Sequence, residues 1–195
     1  MTAAAIRAFV AIELPATLQY QLGQATASLQ QRAGRAIRWV STHNIHLTLK
    51  FLGNVSPSNL DALTAVIVGE ACRHKSFEIS VGTLGAFPNK LRPHVVWVGV
   101  QAPPLLSELQ HGIDRETNRL GYPGEERDFS PHLTLGRVSQ HASPQEVKQI
   151  TDALSSIAVG ELGTVRVEAI RLFRSDLLPG GAVYTPLLAA PLGKT

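Results

Sequence analysis

The tetrapeptide His-Leu-Thr-Leu occurs twice in this 195-residue chain, at 46–49 and at 132–135, and each copy is followed by a glycine, a Ser-Pro pair and a helix-forming segment. Gly53, Ser56 and Pro57 follow the first copy; Gly136, Ser143 and Pro144 follow the second. A repeat of both motif and order constrains the fold more than any single motif, because it calls for two similar units packed together. From 45 to 51 the odd positions are apolar and the even ones polar, the period of a half-buried strand. His46, Thr48 and Lys50 then share an open face, with Ile45, Leu47, Leu49 and Phe51 turned to the core. The same parity puts His132 and Thr134 on the open face of the second strand.

The remaining pattern fits that repeat. Strands are predicted over 7–13, 37–40, 45–52 and 77–84, with helices over 15–32 and 58–73. The second half follows with strands over 94–100, 132–138 and 164–173, and helices over 104–120 and 144–157. Pro88, Asn89 and Pro93 break the pattern near 87–93. The expected architecture is an α+β, bilobal single domain over 1–195. It has two pseudo-symmetric lobes dividing near that break, each an antiparallel-rich sheet with outer helices, and an active-site cleft between them.

One imidazole and one hydroxyl from each lobe, on one cleft, suit in-line displacement at phosphorus. One side of the phosphate needs a base for the incoming water and the other an acid for the departing oxygen. Imidazole titrates near neutrality and can fill either role. Threonine hydroxyls can donate to the non-bridging oxygens as charge builds there. No metal or cofactor is required. Cys72 is the only cysteine, which excludes an internal disulfide and a cysteine-based zinc site. His43 stands three residues before His46, but no carboxylate flanks either motif and strand parity separates the two rings. Lysine and arginine number 18 against 15 acidic residues, scattered rather than blocked, which fits a compact phosphate site better than a broad duplex footprint. No signal peptide or membrane span is legible, so a cytoplasmic location with no membrane partner is expected.

The sequence resembles the 2H phosphoesterases, and within them the RNA 2′,3′-cyclic phosphodiesterases historically called 2′-5′ RNA ligases. The two His-x-Thr-x motifs carry the likeness, together with 7–15, Trp39-Val40 through Gly53, Gly85-Ala86-Phe87-Pro88, 95–100 and Phe129-Ser130-Pro131 through Gly136-Arg137. The resemblance implies a cleft holding both motifs and hydrolysis of an RNA 2′,3′-cyclic phosphate to a 2′-phosphomonoester. It also implies His46 as general acid and His132 as general base, a pairing that the pseudo-symmetry leaves open to exchange. Related sequences place an arginine at the position of Arg137 near the phosphate, although strict alternation turns Arg137 away; a bulge at Gly136 would turn it back. Thr48 and Thr134 complete the expected phosphate site.

Other readings stay open: reversible 2′-5′ joining of RNA ends, hydrolysis of other small cyclic phosphates, or a non-catalytic RNA or nucleotide binder. Lys50 is read as either ligand-facing or solvated, and Phe9 chiefly as core. Cys72 is read as core, and Trp39 and Trp97 as buried. His74, His111, His141 and the run Asp114-Arg115-Glu116 are read as exposed. The residues do not fix the oligomeric state; a monomer is expected.

Overall fold

The computed structural model describes residues 4–125 and 127–193. The strands are β1 (Ile6–Glu13), β2 (Ile37–Trp39), β3 (His46–Val55), β4 (Phe77–Phe87), β5 (Val95–Gln101), β6 (His132–Val138), β7 (Glu161–Val167), β8 (Ala169–Leu178) and β9 (Gly181–Pro191). The helices are α1 (Ala16–Ala33), α2 (Leu60–Ala71), α3 (Pro104–Arg119) and α4 (Pro144–Ser156). Among the described residues the strands form one antiparallel sheet in the order β7-β4-β5-β6-β3-β1-β8-β9, with β2 also on β6. Helix α1 packs with α4 and α2 with α3, and their apolar sides join one face of the sheet in a single core.

The two expected sheets are therefore halves of one, and they exchange strands. Strand β4 belongs to the first repeat yet pairs with β5 and β7, while β8 and β9 return to β1. Residues 88–94 connect β4 to β5 as a hairpin loop, so the Pro-rich break lies inside one half of the sheet. The strand expected over 164–173 is two strands, β7 and β8, with Glu168 alone between them. Six strand spacings separate β7 from β8 in the sheet order, roughly 29 Å if it were flat. Val167 and Ala169 are two residues apart and reach no more than about 7 Å. The sheet must curl until its two halves face one another, and the concave surface so formed is the cleft.

Two bulges in β3 set which side chains reach that surface. Ala11 pairs with Thr48 but Val10 with Lys50, leaving Leu49 unopposed, and a second slip leaves Leu52 unopposed. After Leu49 the alternation inverts: Lys50 is buried at 3% exposure and Phe51 is exposed at 54%. Both departures from simple parity are corrections to the sequence reading. Lys50 neither faces a ligand nor meets solvent; its ammonium donates to Asp114 Oδ1 at 2.5 Å and to the Pro123 carbonyl at 2.6 Å. Asp114 thus belongs to the packing between β3 and α3. Removing one partner of such a pair strands the other charge at a cost of about 3 kcal/mol. Asp114→Ala is expected to lower Tm by roughly 6–12 °C; a Tm within a degree of wild type in a melting scan would show that the ammonium escapes to water.

Other polar residues also sit differently from the sequence reading. His74 is held against the buried Glu70, Nε2 to Oε1 at 2.9 Å, and Arg73 donates to the other carboxylate oxygen at 2.8 Å. Cys72, which closes α2, is exposed. No helix among the described residues is long and apolar enough to cross a membrane.

Candidate active site

Strands β3 and β6 meet at one pair, Leu47 opposite Leu133, and both leucines are buried. Continuing that antiparallel register by one residue puts Thr134 beside His46 and His132 beside Thr48, all four on the concave face. His46 and His132 are then diagonal neighbours across the two strands, about 7–8 Å apart at the backbone. That backbone spacing brings the two rings to one patch of the concave face.

The two imidazoles are held by the same device. His46 Nδ1 donates to the carbonyl of Asn44 at 2.8 Å, and His132 Nδ1 donates to the carbonyl of Ser130 at 2.7 Å. A carbonyl accepts only, so in each ring Nδ1 carries a hydrogen and Nε2 is left for the cleft. Each carbonyl is two residues upstream in its own chain segment, so orientation is built into the strand entry rather than supplied by a distant carboxylate. The turn before β3 is tied down in addition by the Asn44 side chain, which donates to the Ala182 carbonyl of β9 at 2.8 Å.

Their surroundings differ. His46 stacks on Phe9 with ring centroids 4.6 Å apart and receives Tyr184 edge-on at 5.2 Å, with Phe173 stacked behind Phe9 at 5.3 Å. Burial among these rings depresses the His46 pKa, only partly opposed by the Asn44 carbonyl, which favours the protonated ring. His132 meets the edge of Phe87 at 4.8 Å and Trp97 at 6.4 Å. Trp97 lies across β4, where a Cβ on Gly85 would collide with the indole; only glycine lets the ring settle there. Phe9 is thus packed, as expected, but against a cleft histidine. Trp97 lines the cleft instead of serving the core alone.

A third bulge brings Arg137 to this face. Trp97 pairs with Thr134 but Val96 with Gly136, so the unopposed residue is Leu135, and Leu135 and Gly136 both point to the core. The inward turn anticipated at Gly136 occurs one residue earlier. Gly136 is needed for a different reason: a Cβ there would stand 2.6 Å from Ile37 Cγ2, too close for β2 to dock. Arg137 is exposed on the concave face and, with Arg7, close enough to Tyr184 to oppose the rise that burial imposes on the phenol's pKa.

Phe51, Tyr184 and Phe173 were not singled out from the sequence. Phe51 lies 6.2 Å from Phe9, ring to ring, at the opposite end of the Leu47–Leu133 pair from Arg137. Phe51 and Arg137 thus mark opposite ends of the cleft, with the Leu47–Leu133 pair between them. Among the described residues no three His, Cys, Asp or Glu side chains gather as a metal site.

The family profile described as "LigT like Phosphoesterase" matches this chain twice, over 12–97 and over 98–184. The chain belongs to the LigT-like 2H phosphoesterases. The two matches contain one His-Leu-Thr-Leu motif each. The chain is 34% identical over 182 residues to the RNA 2′,3′-cyclic phosphodiesterase of Methanothermobacter thermautotrophicus, covering 93% of this chain and 96% of that one. A crystal structure from Thermus thermophilus superposes with a TM-score of 0.79 at 28% identity, covering 96% and 98% of the two chains. Escherichia coli LigT complexed with 3′-AMP superposes with a TM-score of 0.76 at 29% identity, again over 96% and 98%.

Proposed function

We propose that this LigT-like phosphoesterase hydrolyses the terminal 2′,3′-cyclic phosphate of RNA to a 2′-phosphomonoester. The observation that carries the reading is the matched presentation of two Nε2 atoms, each ring locked by a carbonyl two residues upstream, from diagonal positions on one concave face. With the cyclic phosphate between the rings, His132 takes a proton from the attacking water and His46 gives one to the departing 3′-oxygen. The Thr48 and Thr134 hydroxyls and the Arg137 guanidinium donate to the non-bridging oxygens, where negative charge accumulates. Phe51, exposed on the same face, offers the terminal base an aromatic surface. No step draws on a metal. One chain supplies both imidazoles, so a monomer suffices, and we place it in the cytoplasm.

The acid role of His46 requires a proton that its buried ring holds weakly in the empty cleft. A phosphate anion beside Nε2 stabilises the imidazolium and raises that pKa, so binding is coupled to proton uptake. At about pH 7.5, isothermal titration of a 2′-phosphate-ended oligomer in buffers of different ionisation enthalpy is expected to show uptake by wild type and less by His46→Ala. Equal uptake in both proteins would remove His46 as the proton's destination.

The direct test incubates the protein in EDTA with an oligoribonucleotide ending in a 2′,3′-cyclic phosphate and identifies the new end. A 2′-phosphate is the expected product. A 3′-phosphate would reverse the leaving group, and binding without turnover would leave a nucleotide-binding module.

A further inference from the structure

Strand β2 adds a second arginine beside the first. Arg38 pairs directly with Arg137 in antiparallel register, flanked by Trp39 opposite Gly136 and Ile37 opposite Val138. Ile37 is buried in the core and Trp39 packs against it, so Arg38 projects from the other face, the concave one, as Arg137 does. Both are exposed. Like charges directly opposed on neighbouring strands repel. On the same face Arg171, paired in register with Ala11, is compensated by Glu13 at 2.6 Å. Among the described residues neither Arg38 nor Arg137 has a carboxylate within ion-pair distance. Two guanidinium forks side by side at one end of a cleft make a site for two anionic groups.

Resting on the cyclic-phosphate reading, we infer that Arg38 binds the phosphodiester on the 5′ side of the terminal nucleoside, and so makes the enzyme prefer an RNA strand to a free nucleotide. The chemistry of the substrate supports this assignment. Once Arg137 engages the cyclic phosphate, the nearest remaining anion on an RNA 3′ end is the diester on the 5′-carbon of the same ribose. An exposed ring, Phe51, is available to the base on the other side of the Leu47–Leu133 pair, which leaves the backbone to run toward β2. Arg38 touches no reacting atom; it is a specificity residue, and Arg38→Ala removes an exposed side chain without disturbing the core.

The test compares wild type and Arg38→Ala on a 2′,3′-cyclic mononucleotide lacking a 5′-phosphate and on an oligoribonucleotide with the same cyclic end. Both kcat/KM and the Kd of the 2′-phosphate-ended product are measured. The variant is expected to match wild type within about twofold on the mononucleotide and to lose about tenfold on the oligomer. The slope of log Kd against log salt for the oligomer falls by roughly 0.7, one single-strand phosphate contact. Replacing the diester next to the terminal nucleoside by a neutral methylphosphonate costs wild type the same factor and Arg38→Ala nothing further. Equal losses on both substrates, no loss on the oligomer, or a loss that persists undiminished on the methylphosphonate overturns the inference. Should wild type turn over neither substrate, the hydrolase reading fails, and the Kd comparison still decides whether Arg38 reads the strand.

Discussion

His46→Ala and His132→Ala are each expected to lower kcat on a cyclic-phosphate-ended oligoribonucleotide by about 10²–10⁴-fold, the usual scale of a lost general acid or base. The double variant falls little below the worse single one, because two groups acting in one transition state do not contribute independently. The two losses differ in what relieves them. A substrate with sulfur in place of the bridging 3′-oxygen has a leaving group that needs no proton. On it, His46→Ala is expected to recover most of its rate and His132→Ala none. Recovery by His132→Ala instead would exchange the two roles, which the matched tethers at Asn44 and Ser130 permit geometrically. Phe9, Phe173 and Tyr184 enclose His46 and favour its neutral ring in the empty cleft, so the sulfur substrate, and not the surroundings, assigns the two roles.

Arg137→Ala is expected to cost about 10²–10³-fold in kcat, comparable to losing one donor to a developing oxyanion. Arg137→Lys recovers only part, since an ammonium lacks the two parallel N–H groups that match phosphate oxygens. A change confined to KM would mean that the guanidinium binds ground state and transition state alike. A loss below about threefold for the alanine variant would remove Arg137 from the phosphate site, given the scale expected of such a donor.

Of the candidate site, the sequence made the placement of the central residues legible and that of the edges less so. His46, Thr48, His132 and Thr134 precede the bulges at Leu49 and Leu135, so simple parity placed them on the concave face. Past those residues parity inverts, and Lys50 and Phe51 exchange faces. Nothing local marks Leu49 as unopposed: a bulge belongs to the pairing of two strands, and its partner β1 lies far upstream in the chain. Arg137 was recoverable because Gly136 raised the possibility of a bulge, although the slip occurs one residue before it. Tyr184 was lost with the whole of β9, for which no strand was expected; Pro186 and Pro191 lie within it and Gly180 and Gly181 precede or open it, all weak strand formers. Prolines are tolerated there because β9 is the edge of the sheet, paired on one side only. The repeat did not foretell the exchange of strands, since similarity between the halves of a chain says nothing about which half a strand will pair with.

The return of β8 and β9 to β1 also sets a timetable for the protein's manufacture. Strand β1 leaves the ribosome well before its neighbour β8, which spans Ala169–Leu178, so that side of β1 waits until everything between them has been translated. Until then an apolar strand edge stays open to other nascent chains. Until β8 and β9 are made, Phe9 and His46 lack the Phe173 and Tyr184 rings that pack on them in the finished fold. A chain stalled before residue 169 would hold both histidines and neither of those walls.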